Sequence, residues 1–355
     1  MPKLLLLQAA AAVADRRWYG SGGRRGYLPL RHPPHVAPGR FTACLLAVAA
    51  VTTTFALALT LHRPDLSSAA AYAASPRGVG GGGGAGYAVV INTWKRYDLL
   101  RRSVAHYSGC GGVDAVHVVW SEPEEPTEEL RGSVLNCSDG GGAGVRFVIN
   151  AEDSLNNRFR PIQGLTTDAV FSVDDDLIVP CSTLRFAFAV WQSAPSAMVG
   201  FVPRMHWLAD PGSNAKEYRY GSWWSVWWTG TYSMVLSKAS FFHRQYLDLY
   251  TIRMLPSIRD YVNENRNCED IAMSFLVANV TGSPPIWVQG GHTEVPFRDV
   301  TAGRIFEIGS SGISSLKGHD LQRSKCLNTF SAMYGHMPLV ATTVKAVDSR
   351  TSWFW

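Results

Sequence analysis

The sequence predicts an α/β domain built on a largely parallel sheet, and three observations carry that prediction. Short β-rich runs recur from Tyr87 onward: "YAVVINTW" at Tyr87, "AVHVVW" at Ala115, "VRFVIN" at Val145 and "AVFSV" at Ala169. Between the first two, "KRYDLLRRSVAHYSG" places Leu99, Leu100 and Val104 at helical spacing, and strand, helix, strand is the pattern of parallel crossover units. The 355 residues are 46% hydrophobic and only 17% charged, which supplies a sizeable core and excludes disorder throughout. No repeat of solenoid or propeller period is visible.

Ahead of that domain lies "FTACLLAVAAVTTTFALALTL", Phe41 to Leu61, an uncharged run of about the 20 residues a helix needs to cross a bilayer. Lys3, Arg16, Arg17, Arg24, Arg25, Arg31 and Arg40 precede it against Asp15 alone, so the positive-inside rule keeps the amino end cytosolic and the rest lumenal. A cleaved signal peptide at "LLLLQAAAAVA", Leu4 to Ala14, is the rival reading, and it leads to the same compartment. The net charge of +5 is concentrated in this tail, which argues against a nucleic-acid-binding face. The expected organisation is a cytosolic tail at 1–40, a signal anchor at 41–61, a Gly/Ala/Ser-rich stem at 62–86 and a folded domain at 87–355.

Asn136-Cys137-Ser138 and Asn279-Val280-Thr281 are acceptor sequons that agree with the secretory pathway. Of six cysteines, Cys44 falls in the apolar span; Cys110, Cys137, Cys181, Cys268 and Cys326 remain, and one stays unpaired if the others form two bridges. No Cys/His pattern with zinc spacing is present.

In open α/β sheets ligands bind beyond the carboxyl ends of the strands. Asn92 and Arg96 follow the first run, Ser121 and Glu122 the second, and Asp174, Asp175 and Asp176 the fourth. No Gly-x-Gly-x-x-Gly turn follows the first strand and no Walker lysine loop exists, so a dinucleotide fold and a P-loop are disfavoured. Three adjacent aspartates need something positive to offset them. Carboxylates reach a phosphate through a hard divalent cation such as Mg2+ or Mn2+, and a strand-end Asp-x-Asp does this for a nucleotide diphosphate. The bland alternative is a helix cap, with Asp176 preceding "LIVPCSTLRFAFAVW". "NCEDIAMSFLVA" reads as an amphipathic helix opened by Glu269 and Asp270, with Ile271, Phe275 and Leu276 available to the core.

"SLNNRF" (from Ser154), "VDDDLIV" (from Val173), "LRFAFAVWQ" (from Leu184), "MVGFVPR" (from Met198), "YSMVLSKASFF" (from Tyr232) and "NCEDIAMSFLVAN" (from Asn267) together resemble the exostosin-type glycosyltransferases, family 64. Within it, "YGSWWSVWWTGTYSMVL" and the ending "KAVDSRTSWFW" most resemble the plant enzymes that mannosylate glycosylinositol phosphorylceramides (GIPC) in the Golgi, which are type II membrane proteins. The resemblance implies a GT-A fold, a nucleotide sugar bound on its first half and an acceptor on its second.

Residue by residue, the resemblance places Asn92, Arg96 and Ser121 against the nucleotide, although the family carries a different polar residue at the Ser121 position. Asn157 and Arg158 would hold ribose or diphosphate, Asp174 and Asp175 the sugar and ribose side, and Asp176 the manganese. Glu269 adjoins the donor, Asp270 is the expected catalytic residue, and Arg323 of "LQRSKC" reaches back over the diphosphate. It also implies a Cys268–Cys326 bridge between the two motifs. Trp223, Trp224, Trp227 and Trp228 are too many for one core, and one or two are expected to contact the acceptor. His206, His292, His319 and His336 look isolated, as surface or internally satisfied side chains. "GGHTEVPFRDVTAGR", Gly290 to Arg304, reads as an insertion relative to those enzymes.

The expected function is thus retaining, Mn2+-dependent transfer of mannose from GDP-mannose to a GIPC head group. A UDP-N-acetylhexosaminyl transfer of the same family is the alternative, and a non-catalytic lectin-like protein that kept the fold is a third class. The intact Asp174 to Asp176, Asp270 and Arg323 argue against the third.

Overall fold

Strand β1 (Tyr87–Thr93) sits inside an eight-stranded sheet, flanked by β2 (Val113–Trp120) and β4 (Ala169–Asp174), both parallel to it. The computed structural model describes residues 86–137, 143–212, 216–289, 306–307 and 318–349. The tail, the expected span at 41–61, the stem up to position 85 and the insertion at 290–304 lie outside them. Among the described residues no helix is long and apolar enough to cross a membrane.

The remaining elements are β3 (Gly144–Ile149), β5 (Leu177–Ile178), β6 (Val199–Gly200), β7 (Pro203–Leu208), β8 (Tyr218–Gly221), β9 (Met234–Val235), β10 (Ala239–His243), β11 (Ile286–Gln289), β12 (Phe306–Glu307) and β13 (Lys345–Val347). The helices are α1 (Tyr97–Ser108), α2 (Glu128–Asn136), α3 (Cys181–Ser193), α4 (Trp223–Thr229), α5 (Gln245–Ile252), α6 (Pro256–Asn265), α7 (Glu269–Thr281) and α8 (His319–Tyr334), with a 3-10 turn at Leu155–Phe159. The four expected strands and the expected first helix are all present. The sheet order is β13-β11-β6-β10-β4-β1-β2-β3, in which β10 runs antiparallel to β4 and β6. The chain therefore builds outward from β1 through β2 to β3, then returns to the other side of β1 as β4. That reversal is a topological switch point, where such sheets open a crevice.

β1 and β4 are buried on both faces, as their unbroken apolar runs require. Tyr87, Val89, Ile91, Phe171 and Val173 face one core with Leu100 and Val104 of α1 and Leu184 and Trp191 of α3. Val90 and Val170 face a second core with Phe275 of α7 and Leu327 and Phe330 of α8. The period-two alternation thus assigns one residue set to each layer.

Helix α7 departs from the expected amphipathic pattern, since every residue from Asp270 to Ala278 is buried. It is a central helix wrapped by α5, α6 and α8, so Asp270 of its acidic first turn is buried and Glu269 is largely covered. Asp176 does not cap α3, because β5 intervenes and Pro180 occupies the cap position.

Cys268–Cys326 forms the expected bridge, tying the start of α7 to the middle of α8 over a separation of 58 residues. A second bridge joins Cys110 to Cys181, and Cys137 is free, which completes the two-bridge arithmetic. In the loop-entropy account the Cys268–Cys326 closure contributes about 4 kcal/mol. Replacing both cysteines by serine is expected to lower unfolding stability by about 2–4 kcal/mol in denaturant titration. No change in midpoint would contradict this.

Candidate active site

The register between β1 and β4 sets Asn92 opposite Asp174 at the mouth of the crevice. The Asp175 N–H donates to the Asn92 carbonyl at 3.2 Å, which turns the acidic triplet across the strand ends. Asp175 is fully buried; its Oδ2 accepts from the Thr93 hydroxyl at 2.7 Å and its Oδ1 lies 2.5 Å from Arg96 Nη2. The same guanidinium donates from Nη1 to Asp176 Oδ2 at 2.7 Å. Asp174 pairs with Arg158, whose Nη1 also lies 3.4 Å from Glu269 Oε1. Arg323, buried on α8, donates from Nη1 to Asp270 Oδ2 at 2.9 Å and to the Tyr220 hydroxyl at 3.2 Å. Asn157 donates to Ser121 Oγ at 2.9 Å.

Nine of the eleven predicted site residues line up in one file. Asp176, Arg96 and Asp175 lead to Asp174, Arg158 and Glu269, and then to Asp270 and Arg323, with Asn92 under the turn. The other two, Asn157 and Ser121, join as a pair: Asn157 precedes Arg158 in the 3-10 turn and donates to Ser121. Thr93 and Tyr220 join the file although no sequence motif assigns them a role. His319 is not isolated: its Nε2 accepts from Arg323 Nε at 3.2 Å, four residues along α8. The i, i+4 spacing of His319 and Arg323 on one helix face was the available signal. His206 is internally satisfied as expected, through Ser233 at 2.7 Å.

The backbone is bent to make this arrangement. The three non-glycine residues with positive φ among the described residues are Lys95 (52°), Arg266 (49°) and Cys268 (75°). Lys95 precedes Arg96, while Arg266 and Cys268 bracket the turn that delivers Glu269 and Asp270. Such conformations cost of order 1–3 kcal/mol each and persist where surrounding contacts enforce them. Here Arg266 clamps both carboxylate oxygens of Asp153 at 2.7 Å and Cys268 is bridged to Cys326.

Burial splits the carboxylates. It pushes Asp175 up from 3.8 to about 7, against the pull of Arg96 and Thr93. Glu269 also rises, through burial and the charge of Asp270 beside it, against Arg158 and Arg323. Burial would raise Asp270 too, but Arg323 and the Ile271 N–H outweigh it, and Asp270 is held below the usual carboxylate range. Two neighbouring acids pushed in opposite directions by their surroundings is the pattern of acid and base assignments in enzyme sites.

The residues fit a divalent metal and an anion. Among the described residues Asp174, Asp175, Asp176, Glu269 and Asp270 form ion pairs with Arg96, Arg158 and Arg323, an excess of carboxylate that a divalent cation would balance. Arg158 Nε and Asn157 Oδ1 are buried without a partner among the described residues, as groups awaiting a ligand. Among the described residues the one close grouping of three metal-type ligand atoms is His106, Cys110 and Cys181, and the two cysteines are spent in their disulfide. A metal at the aspartates would therefore take one or two carboxylates and complete its shell with phosphate oxygens and water, the habit of Mg2+ and Mn2+.

With ligand and metal absent, Asp175 and Glu269 bind protons in the folded chain that the unfolded chain has released. Stability is thus expected to fall as the pH rises from about 4 to about 7. Asp270, depressed in the fold, has the opposite sign; its contribution is present at neutral pH and disappears on acidification below the usual carboxylate range. In melting curves across this window, Asp175→Asn should remove roughly half of the decline. A wild-type stability that climbs through the window would contradict the assignment.

A family model for the glycosyl transferase family 64 domain matches residues 87–353. Glycosylinositol phosphorylceramide mannosyl transferase 1 of Arabidopsis thaliana is 56% identical over 275 residues, covering 76% of this chain and 78% of that protein. Exostosin-2 of Homo sapiens is 34% identical over 267 residues, 75% of this chain but 34% of that protein's length. Exostosin-like 2 of Mus musculus is 34% identical over 259 residues, 71% of this chain and 74% of that protein. With the family domain spanning the whole sheet and every element of the charged file, the chain belongs to glycosyl transferase family 64.

Proposed function

We propose that this glycosyltransferase is a retaining, metal-dependent mannosyltransferase that moves mannose from GDP-mannose to the glycan head group of a GIPC sphingolipid. The observation that carries this reading is the join of two facts: 56% identity to a protein of that name, and an uninterrupted donor-type charge file at the switch point. The fold is read as GT-A, with the lumenal domain held in the Golgi behind the anchor at 41–61 and the stem at 62–86. Asn136 and Asn279 are both exposed, as glycan acceptors in that compartment would be.

In this reading Arg96, Asn92 and Ser121 line the nucleotide side, while Asn157 and Arg158 take ribose and diphosphate. Asp174 orients the sugar and ribose hydroxyls, with Asp175, buried between Thr93 and Arg96, holding Arg96 in place and Glu269 steadying Arg158 from the far side. Mn2+ bound at Asp176 would supply charge neutralisation for the departing diphosphate. Arg158 and Arg323, already fixed by carboxylates, meet the negative charge that grows on the leaving group without having to reorganise. Asp270, kept ionised by Arg323, faces the anomeric centre, where it orients the acceptor hydroxyl or steadies the developing positive charge.

α4 carries three exposed indoles, Trp224 at 64%, Trp227 at 60% and Trp228 at 81%, so these are not core residues. Trp223 instead packs edge-on against Trp287 with centroids 5.8 Å apart. α4 follows directly on β8, whose Tyr220 touches Arg323, and this supports reading the open indoles as the acceptor side.

The test is transfer of mannose from GDP-mannose to a GIPC glycan with Mn2+, alongside UDP-N-acetylglucosamine as rival donor. Asp270→Asn is expected to lose at least about a hundredfold in kcat while GDP still binds with Mn2+. Undiminished turnover in that variant would remove Asp270 from the mechanism, and transfer from the uridine donor alone would overturn the mannosyl reading.

A further inference from the structure

One cavity beside the charged file is untouched by the reading above. It lies between α1, α2 and the chain after β2, has a volume of about 500 Å3, and is lined by Tyr97, Trp120, Glu122 and Glu124 among others. Tyr97 follows Arg96, which bridges Asp175 and Asp176, and Glu122 follows Ser121, which holds Asn157. The cavity therefore continues the diphosphate file outward from the strand ends, where the base of a bound nucleotide would lie.

Its walls suit a base. The Tyr97 and Trp120 rings stack with centroids 5.8 Å apart and planes 16° from parallel, and Tyr97 remains 36% exposed, leaving aromatic surface for a purine to cover. Glu122 is buried and locked in place: Oε1 accepts from the Lys95 N–H at 2.8 Å and Oε2 from the Tyr97 hydroxyl at 2.8 Å. The positive φ of Lys95 turns that N–H toward the carboxylate. An ionised carboxylate has about four acceptor positions and no donor, so half of its capacity remains.

We propose that this cavity takes the nucleotide base and that Glu122 selects guanine. Guanine alone among the common bases presents two adjacent donors, N1–H and the exocyclic N2 amine, which a carboxylate accepts together. Uracil offers a single N3–H between two carbonyl oxygens that an acceptor-only group repels. Adenine and cytosine each place a lone pair beside their amine. The inference rests on the nucleotide-sugar reading above and adds to it the residue that fixes the donor's base.

The test is calorimetry on the full-length protein with Mn2+ and GDP, IDP or UDP, since IDP differs from GDP only by the missing N2 amine. Wild type is expected to bind GDP about tenfold tighter than IDP. Glu122→Gln keeps one acceptor for N1–H and loses the second, so its GDP affinity is expected to fall to the IDP level with IDP affinity little changed. Equal binding of GDP and IDP by wild type, or an unaltered ratio in the variant, overturns the role of Glu122 while leaving the GDP-mannose reading standing. Tighter binding of UDP than of GDP overturns both. The wild-type ratio is decisive by itself if the variant does not fold.

Discussion

Everything at this site depends on how buried guanidinium groups hold an excess of buried carboxylate at the open ends of β1 and β4. Asp175 and Arg158 are almost wholly inaccessible, and Asp270 and Arg323 are scarcely more exposed. Leaving any one of them unpaired would cost several kcal/mol, so the alternating file is strongly selected once the chain has folded. The disulfide at the start of α7, the clamp of Arg266 on Asp153 and the strained turns at Lys95 and Cys268 are intelligible as supports of that file. They fix the side chains before any ligand arrives, which is what electrostatic stabilisation of a leaving group requires.

The same file is what the proposed metal and nucleotide rest on. Its carboxylates outnumber its guanidiniums, two of its acids are pushed toward neutrality by burial, and Arg158 and Asn157 each keep a buried atom without a partner. A divalent cation with a nucleotide diphosphate would supply both signs of charge and partners for those atoms together. The cavity edged by Tyr97, Trp120 and Glu122 is the proposed place for the base. Tyr220 touches Arg323 and the indoles of α4 are exposed, which is what the proposed acceptor side rests on.

Much of this was legible in the sequence. The β1 to β4 runs declared themselves by length and β-branched composition, and the polar residues after each run became the site because strands of a parallel sheet end on one edge. What was not legible depended on tertiary contacts. "EDIAMSFLVA" looks like a surface helix with one apolar stripe, and only the packing of α5, α6 and α8 around it shows that its acids are covered. The cap reading of Asp176 failed because two residues of strand, invisible to periodicity, separate it from α3. His319 looked isolated because a single histidine has no pattern, and its partner became evident only when α8 brought Arg323 over Asp270. Glu122 was noticed at a strand end, but its role needed the cavity and the stacked rings beside it.

The most direct test of the account is a crystal structure of the chain with Mn2+ and GDP. The expected result is a metal on Asp176, diphosphate oxygens against Arg158 and Arg323, and the nucleoside running outward past Arg96 from the ends of β1 and β4. A nucleotide bound elsewhere, or a metal held without Asp176, would contradict it.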